Sequence, residues 1–396
     1  MKILMLTPYL PYPLMSGGQI RSYNLLKNLA KKHEITLFSF IRKDEEKKYI
    51  PELLKFCKRV EVFKRRPAWS YKNIILAGLT LYPFLVSIYL SFKLRKAIKN
   101  ELEKEKYDLI HAETFYVMPN IPKTKVPILL VEQTIEYIVY QHFVENIKFP
   151  PLKWILEIDV AKIRHWEKHY WQKAEMVIAM SEADKKIMLS LVPDLKTEII
   201  PNGVDFNFFY KSKEQNTSNS STILFVGNFK WLQNREAVIT LVNEVWPHIV
   251  KSITDVKLWI VGQNPTPDIT ELSSEKIVID QTVDDIRRAY LNSDVLLAPI
   301  KGSGGTRFKI LEAMASGIPV VTTSIGIEGI DAENEKEVLI RDDSKGLADA
   351  VIKLLRDRFF YRDLTGRARN LTKEKYNWES IGAKLDKIYE DVGGGN

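Results

Sequence analysis

The sequence predicts an α/β chain built as two parallel-sheet halves, and three observations predict it. Residues 2–40 read strand, glycine loop, helix, strand. Residues 222–323 repeat that alternation and close on KGSGGTRFKILEAMASGIPVVTT at 301–323. Between them lies KSKEQNTSNSS at 211–221, a polar, low-complexity linker. A chain of 396 residues suits two domains of ~100–200 residues each. A hydrophobic fraction of 45% with 27% charged residues is that of an ordinary soluble globular enzyme.

In the first half, residues 2–7 form a buried strand. Pro8, Pro11 and Pro13 then force an irregular loop ending at Ser16-Gly17-Gly18. Apolar positions 20, 25, 26, 29 and 30 mark a helix over 19–32, and EITLFSF at 34–40 is the next strand. Ligands of such units gather at the carboxyl ends of the strands, so the Gly17-Gly18 turn lies at a functional edge. A plain tight turn is the alternative. The prolines also break the N-terminal apolar run, which does not read as a signal peptide.

Residues 74–92, IILAGLTLYPFLVSIYLSF, carry no charge, with Lys64, Arg65, Arg66 and Lys72 before them and Lys93, Arg95, Lys96 and Lys99 after. Pro83 and Gly78 argue against a simple membrane span. The stretch either docks on an anionic bilayer through its basic rim or forms two helices of the first domain's core.

YDLIH at 107–111 and PILLV at 127–131 are further buried strands, each ending in polar groups. His111 and Glu136 are the general-base candidates there, a structural histidine and a helix-capping glutamate being the alternatives. A long helix over 152–173 and strands at 175–180 and 198–200 complete this half. PNGVD at 201–205 is a turn.

The second half runs strand 222–226 with Gly227 and Asn228 at its end, helix 234–250, strand 256–261, helix 283–291 and strand 294–298. Gly302, Gly304, Gly305 and Thr306 then feed a helix through Arg307, Lys309 and Glu312. A glycine loop entering a helix gathers free backbone N–H groups and the positive end of the macrodipole, which suits a phosphate. Basic residues in a first helical turn cost ~0.3–1 kcal/mol each, a cost that a bound polyanion offsets. An ordinary i,i+3 pair between Lys309 and Glu312 is the alternative. The last helix, 378–392, is expected to cross back to the first half. The domains are therefore expected at 1–210 and 211–373, with 374–392 packing on the first.

The net charge of +8 points to an acidic partner such as a nucleotide or anionic lipid; no signature of nucleic-acid binding accompanies it. The single cysteine, Cys57, excludes an intramolecular disulfide and fits a reducing, cytoplasmic compartment. No Asp-x-Asp metal motif is present, and Gly-x-Gly-x-x-Gly does not follow the first strand, which argues against a nicotinamide dehydrogenase.

SGG at 16–18, PNGVD at 201–205, VGN at 226–228 and LEAMASGIPVV at 311–321 together resemble the retaining glycosyltransferases of GT-B fold, specifically glycosyltransferase family 4 (glycosyl transferases group 1). The resemblance spans nearly the whole chain. It implies two Rossmann-like domains facing across a cleft. It implies transfer of a sugar from a nucleoside-diphosphate sugar, UDP- or GDP-linked, to an acceptor hydroxyl with retention, in cell-surface polysaccharide or glycolipid synthesis. No separate cofactor and no metal are implied.

By the same resemblance Glu312 binds the donor's ribose, while Gly17 and Gly18 approach its diphosphate. Gly227, Asn228, Gly304, Gly305 and Thr306 complete the donor-binding set. The chain departs from the family where a glutamate eight residues before Glu312 is replaced by Gly304. Asn228 and Gln233 also stand where the family carries an arginine and a lysine, so Arg307 and Lys309 are expected to take over the diphosphate. Gln133 occupies a region that often holds a histidine. A GT-B nucleotide-sugar epimerase and a non-catalytic membrane-binding module are the rival functions.

Overall fold

A computed structural model describes residues 1–210, 220–302 and 307–394. The chain divides into two compact units, Met1–Pro201 with Ile381–Asn396, and Asn202–Ser380. The linker expected at 211–221 lies almost wholly outside the described residues.

The first unit is a seven-stranded parallel sheet of β1 (Lys2–Thr7), β2 (Glu34–Ile41), β3 (Arg59–Lys64), β4 (Leu109–Glu113), β5 (Ile128–Val131), β6 (Met176–Ala179) and β7 (Thr197–Ile199), in the order β3-β2-β1-β4-β5-β6-β7. After Lys2 every residue of β1 is buried, as expected when helices cover both faces of a parallel sheet. β3, RVEVFK, was not legible as a strand, because charges interrupt its apolar alternation at an edge position. The sheet changes direction between β1 and β4, so the loops leaving these two strands flank its switch point.

The helices that matter here are α1 (Gly17–Leu29), α2 (Tyr71–Leu79), α3 (Phe84–Tyr89), α4 (Glu136–Glu145) and α5 (Pro150–Lys173). The uncharged stretch 74–92 divides at Pro83 into α2 and α3. Leu85, Val86 and Ile88 of α3 enter the core, whereas Ile74, Ile75, Leu79 and Leu81 stay exposed. Neither sequence alternative for 74–92 therefore covers all of it. Among the described residues no helix is long and apolar enough to cross a membrane.

The second unit is a six-stranded parallel sheet of β8 (Ser221–Asn228), β9 (Val256–Gln263), β10 (Ile277–Asp280), β11 (Val295–Ala298), β12 (Val320–Thr322) and β13 (Leu339–Ile340), ordered β10-β9-β8-β11-β12-β13. Its switch point lies between β8 and β11. Helix α6 (Phe308–Ser316) follows β11 and buries Ile310, Leu311, Ala313 and Met314. The helix expected over 234–250 is broken by a π-helical turn at Leu241–Val245, just ahead of Pro247.

The unit boundaries differ from those expected. Val204, Phe206 and Phe209 pack with Leu224, Tyr290 and Leu311, so 202–210 belongs to the second unit and not the first. The Val204 N–H donates to the Tyr376 carbonyl at 2.7 Å, and the Trp378 N–H donates back to the Val204 carbonyl at 3.3 Å. Those bonds also keep 374–380 in the second unit. The last helix, α7 (Trp378–Gly393), enters the first unit only from Ile381, burying Ile381, Leu385, Ile388 and Tyr389 there.

Candidate functional site

At the switch point of the second sheet, β8 ends in Gly227-Asn228 and β11 leads towards α6. Lys309 and Glu312 are one helical turn apart and share the face opposite the buried apolar stripe. Lys309 Nζ donates to Asn234 Oδ1 at 2.7 Å and sits 4.4 Å from the centroid of the Phe225 ring. Burial, followed by the Arg307 charge, pushes the Lys309 ammonium down from its ordinary 10.5 to about 7, with Glu312 opposing the fall. The Tyr290 hydroxyl donates to Glu312 Oε2 at 2.7 Å. Burial raises the Glu312 carboxyl, and the Tyr290 hydrogen bond and Lys309 charge offset only part of the rise. Both Lys309 and Glu312 are half-buried as residues.

Arg307 caps α6 and is buried. Its Nη2 donates to the Ile325 carbonyl at 2.8 Å and lies 3.9 Å from Glu328 Oε2. Burial lowers its guanidinium, against the pull of Glu328. The expected donor contacts at Gly304, Gly305 and Thr306 lie outside the described residues. Asn228 shapes the turn after β8: its Oδ1 accepts from the Lys230 N–H at 3.0 Å and its carbonyl accepts from Asn234 Nδ2 at 2.9 Å. A Cβ on Gly227 would come 2.9 Å from Asn234 Cγ, so glycine is what lets Asn234 approach the strand end. Sequence reasoning missed Asn234 and Tyr290. Neither lies in a glycine loop, and only the tertiary approach of two helices brings them to α6.

In the first unit Gly17 and Gly18 open α1, with Ser16 Oγ accepting from the Gln19 N–H at 3.4 Å. A Cβ on Gly18 would lie 2.2 Å from the Tyr9 hydroxyl and 2.6 Å from Gln133 Oε1. Those two side chains are themselves bonded, Tyr9 donating to Gln133 at 2.8 Å. Gln133 Nε2 donates to Glu113 Oε2 at 2.5 Å, and Glu113 Oε1 lies 3.1 Å from His111 Nε2. His111 Nδ1 meets the Tyr389 hydroxyl of α7. Burial raises the Glu113 carboxyl, but the His111 hydrogen bond and charge, with Arg21 and Gln133, hold it below its ordinary value. Arg21 is buried, its Nη1 and Nη2 donating to the carbonyls of Pro201 and Ile200 at 2.7 and 2.9 Å.

This geometry corrects the expectation for His111. His111 and Glu113 are two apart on β4 and so point to one face, where α7 covers them; His111 is 0% exposed. With both ring nitrogens engaged, His111 holds a polar chain together and meets no solvent.

Glu136 stands differently. It opens α4, but the glutamate that caps this helix is Glu167, whose Oε1 and Oε2 accept from the N–H groups of Glu136 and Tyr137 at 2.7 and 3.1 Å. The Glu136 side chain is thereby left for other work. It is half-buried, and burial pushes its carboxyl up to about 7, the range of a general base near neutral pH. Glu132, buried nearby, is raised well above the carboxylate range by burial and by the charges of Glu167 and Glu136, with Trp171 Nε1 donating to it at 3.0 Å. Among the described residues no three His, Cys, Asp or Glu side chains group as metal ligands.

Residues 15–208 match the family model described as Glycosyltransferase Family 4, and residues 220–357 that described as Glycosyl transferases group 1. The N-acetyl-alpha-D-glucosaminyl L-malate synthase of Bacillus anthracis is 25% identical over 344 residues, covering 81% of this chain and 85% of that one. The structure superimposes on sucrose-phosphate synthase from Thermosynechococcus elongatus with a TM-score of 0.75 at 18% identity, over 100% of both chains. It superimposes on Anabaena HepE in complex with UDP and glucose with a TM-score of 0.66 at 17% identity, over 99% of this chain and 100% of the other.

Proposed function

The chain belongs to glycosyltransferase family 4 and has the GT-B fold, and from that premise we propose that it moves a hexosyl group from a nucleoside-diphosphate sugar to an acceptor hydroxyl with retention at the anomeric carbon. The observation that carries this reading is the constellation at the second switch point, where Lys309 and Glu312 are held half-buried by Asn234 and Tyr290. A half-buried cation whose ammonium is easily deprotonated gains most from an arriving dianion, since a diphosphate restores its charge.

In this reading Glu312 takes the ribose hydroxyls. Lys309 and Arg307 face the diphosphate, with Gly227 beside it, and Gly304, Gly305, Thr306 and the Gly17-Gly18 turn keep their expected part in donor binding. The bond between the anomeric carbon and the diphosphate oxygen breaks, its electron pair leaving with the diphosphate. The acceptor oxygen bonds to the same face of the carbon, and its proton passes to a base. Glu136 is the base in the first unit, and His111 acts by positioning. Cationic side chains stand in for a metal. UDP is the ligand of HepE, and UDP- or GDP-linked sugars are the donors proposed here. The reading extends to a glycan or lipid-linked acceptor in surface polysaccharide or glycolipid synthesis, a cytoplasmic site of action, and contact of residues 64–99 with an anionic membrane.

The test is the melting temperature of the purified protein with UDP, GDP, ADP and CMP in turn, with magnesium or with EDTA. A nucleotide at ~100 times its dissociation constant adds about 2.7 kcal/mol of stability. One nucleotide is expected to stand out, with or without metal, and Lys309→Ala is expected to lose its effect. No shift with any nucleotide would overturn the donor site. Product analysis separates the epimerase, which converts the donor sugar without any acceptor.

A further inference from the structure

Helix α5 is half core and half surface. From Ile163 onward it buries Glu167, Tyr170 and Trp171, but its first turns carry Trp154, Ile155 and Ile158 at 70%, 64% and 60% exposure. These three recur at helical spacing, so they form one stripe. A second stripe leaves Leu79 and Leu81, at the end of α2, 82% and 74% exposed, with Trp69 ahead of that helix. The two stripes are tied together. Lys162 Nζ donates to the carbonyls of Ala77 and Thr80 at 2.6 and 2.8 Å, and Trp166 Nε1 to that of Leu81 at 2.8 Å. Asp159 accepts from the Phe84 N–H at 2.8 Å. The end of α2 is thus bonded to the turns of α5 that directly follow Trp154–Ile158.

We propose that these two stripes form one face that seats the protein on an anionic lipid bilayer. The proposal deepens the membrane contact read above and rests on it, but moves that contact off residues 83–99, whose apolar side chains largely serve the core. Two observations select the bilayer as occupant. The face mixes tryptophan with aliphatic tips, the composition that settles at a lipid–water boundary. Lys72, in the first turn of α2, and Lys148, just ahead of α5, are exposed, and neither is in an ion pair among the described residues. Each such lysine near an anionic surface adds attraction that salt weakens. A second copy across a two-fold axis would instead set this face, lysines included, against the same face.

The experiment is co-sedimentation of the full chain with vesicles of phosphatidylcholine alone and of phosphatidylcholine containing one-third phosphatidylglycerol. Binding is expected to be stronger on the anionic vesicles and to fall with added salt. Trp154→Ser with Ile158→Ser, and separately Leu79→Ser with Leu81→Ser, are each expected to weaken it about tenfold or more. All four side chains are exposed, so the melting temperature should hold. The nucleotide-induced shift should also hold, and it separates failure here from failure of the donor site. Undiminished binding by both double variants, or no binding by the parent chain, would overturn the proposal. So would a parent dimer, seen by sedimentation equilibrium, that both variants disperse, since the face would then belong to a second copy.

Discussion

Asn234 grips Lys309: its Oδ1 accepts from Lys309 Nζ at 2.7 Å, while its Nδ2 donates to the Asn228 carbonyl at 2.9 Å. One amide thereby joins the loop after β8 to the helix after β11, across the switch point of the second sheet. A cation so held is aimed before any anion arrives, and preorganisation of this kind is what makes electrostatic stabilisation effective.

Replacing Lys309 by methionine is expected to lower turnover by roughly 10²–10³, as loss of one preorganised charged contact does elsewhere. Asn234→Ala should move turnover the same way by less, since it frees the ammonium without deleting it. Steady-state rates of the two variants and the double variant test the coupling, which is expected to be non-additive.

The lowered Lys309 value, about 7, makes a signed prediction. A depressed folded-state value contributes stability that is present above the ordinary 10.5 and lost as pH falls through about 7. Nucleotide binding has the opposite sense, because the diphosphate needs the protonated form. Affinity should therefore fall by up to about tenfold per pH unit above 7, one proton being taken up on binding. Calorimetry in buffers of different ionisation enthalpy measures that proton, and Lys309→Met should abolish it.

For Glu136, raised to about 7, the signs reverse. Its contribution to folding is present below the ordinary 4.5 and lost as pH rises through about 7. Glu136→Gln is therefore expected to melt no lower than the parent at pH 8 while losing roughly 10²–10⁴ in turnover, the usual reach of a general base. The parent's rate should climb with pH through 7. A variant with unchanged turnover would remove Glu136 from the chemistry.

Gly18→Ala should cost about 1–3 kcal/mol, as overpacking of a filled site does, because its Cβ would stand 2.2 Å from the Tyr9 hydroxyl. Tyr9→Phe in the same chain removes that atom and should restore part of the loss. Urea denaturation of the single and double variants gives the comparison.

Tyr389→Phe is expected to lower stability by about 1–3 kcal/mol, since it strands the buried His111 Nδ1. Turnover of the folded protein should change little, as His111 meets no solvent. A large drop in turnover with an unchanged melting temperature would return His111 to the chemistry.

Two sheets, the Gly17-Gly18 turn, α1, α5 and the return of the last helix were legible in the linear pattern. Apolar runs, glycine, proline and helical spacing act over a few residues and need no distant partner to be read. Lys309 and Glu312 were legible for the same reason, being one turn apart on a helix that follows a glycine loop. Other outcomes depended on groups far apart in sequence. His111 turned inward because Tyr389, 278 residues away, covers it. Glu136 was released from capping because Glu167 took that task from the neighbouring helix. The uncharged stretch divided at Pro83 between core and surface according to which of its faces met the sheet. Periodicity states which side of an element is apolar, but burial and proton affinity are set by what packs against that side, and packing exists only once the chain has folded.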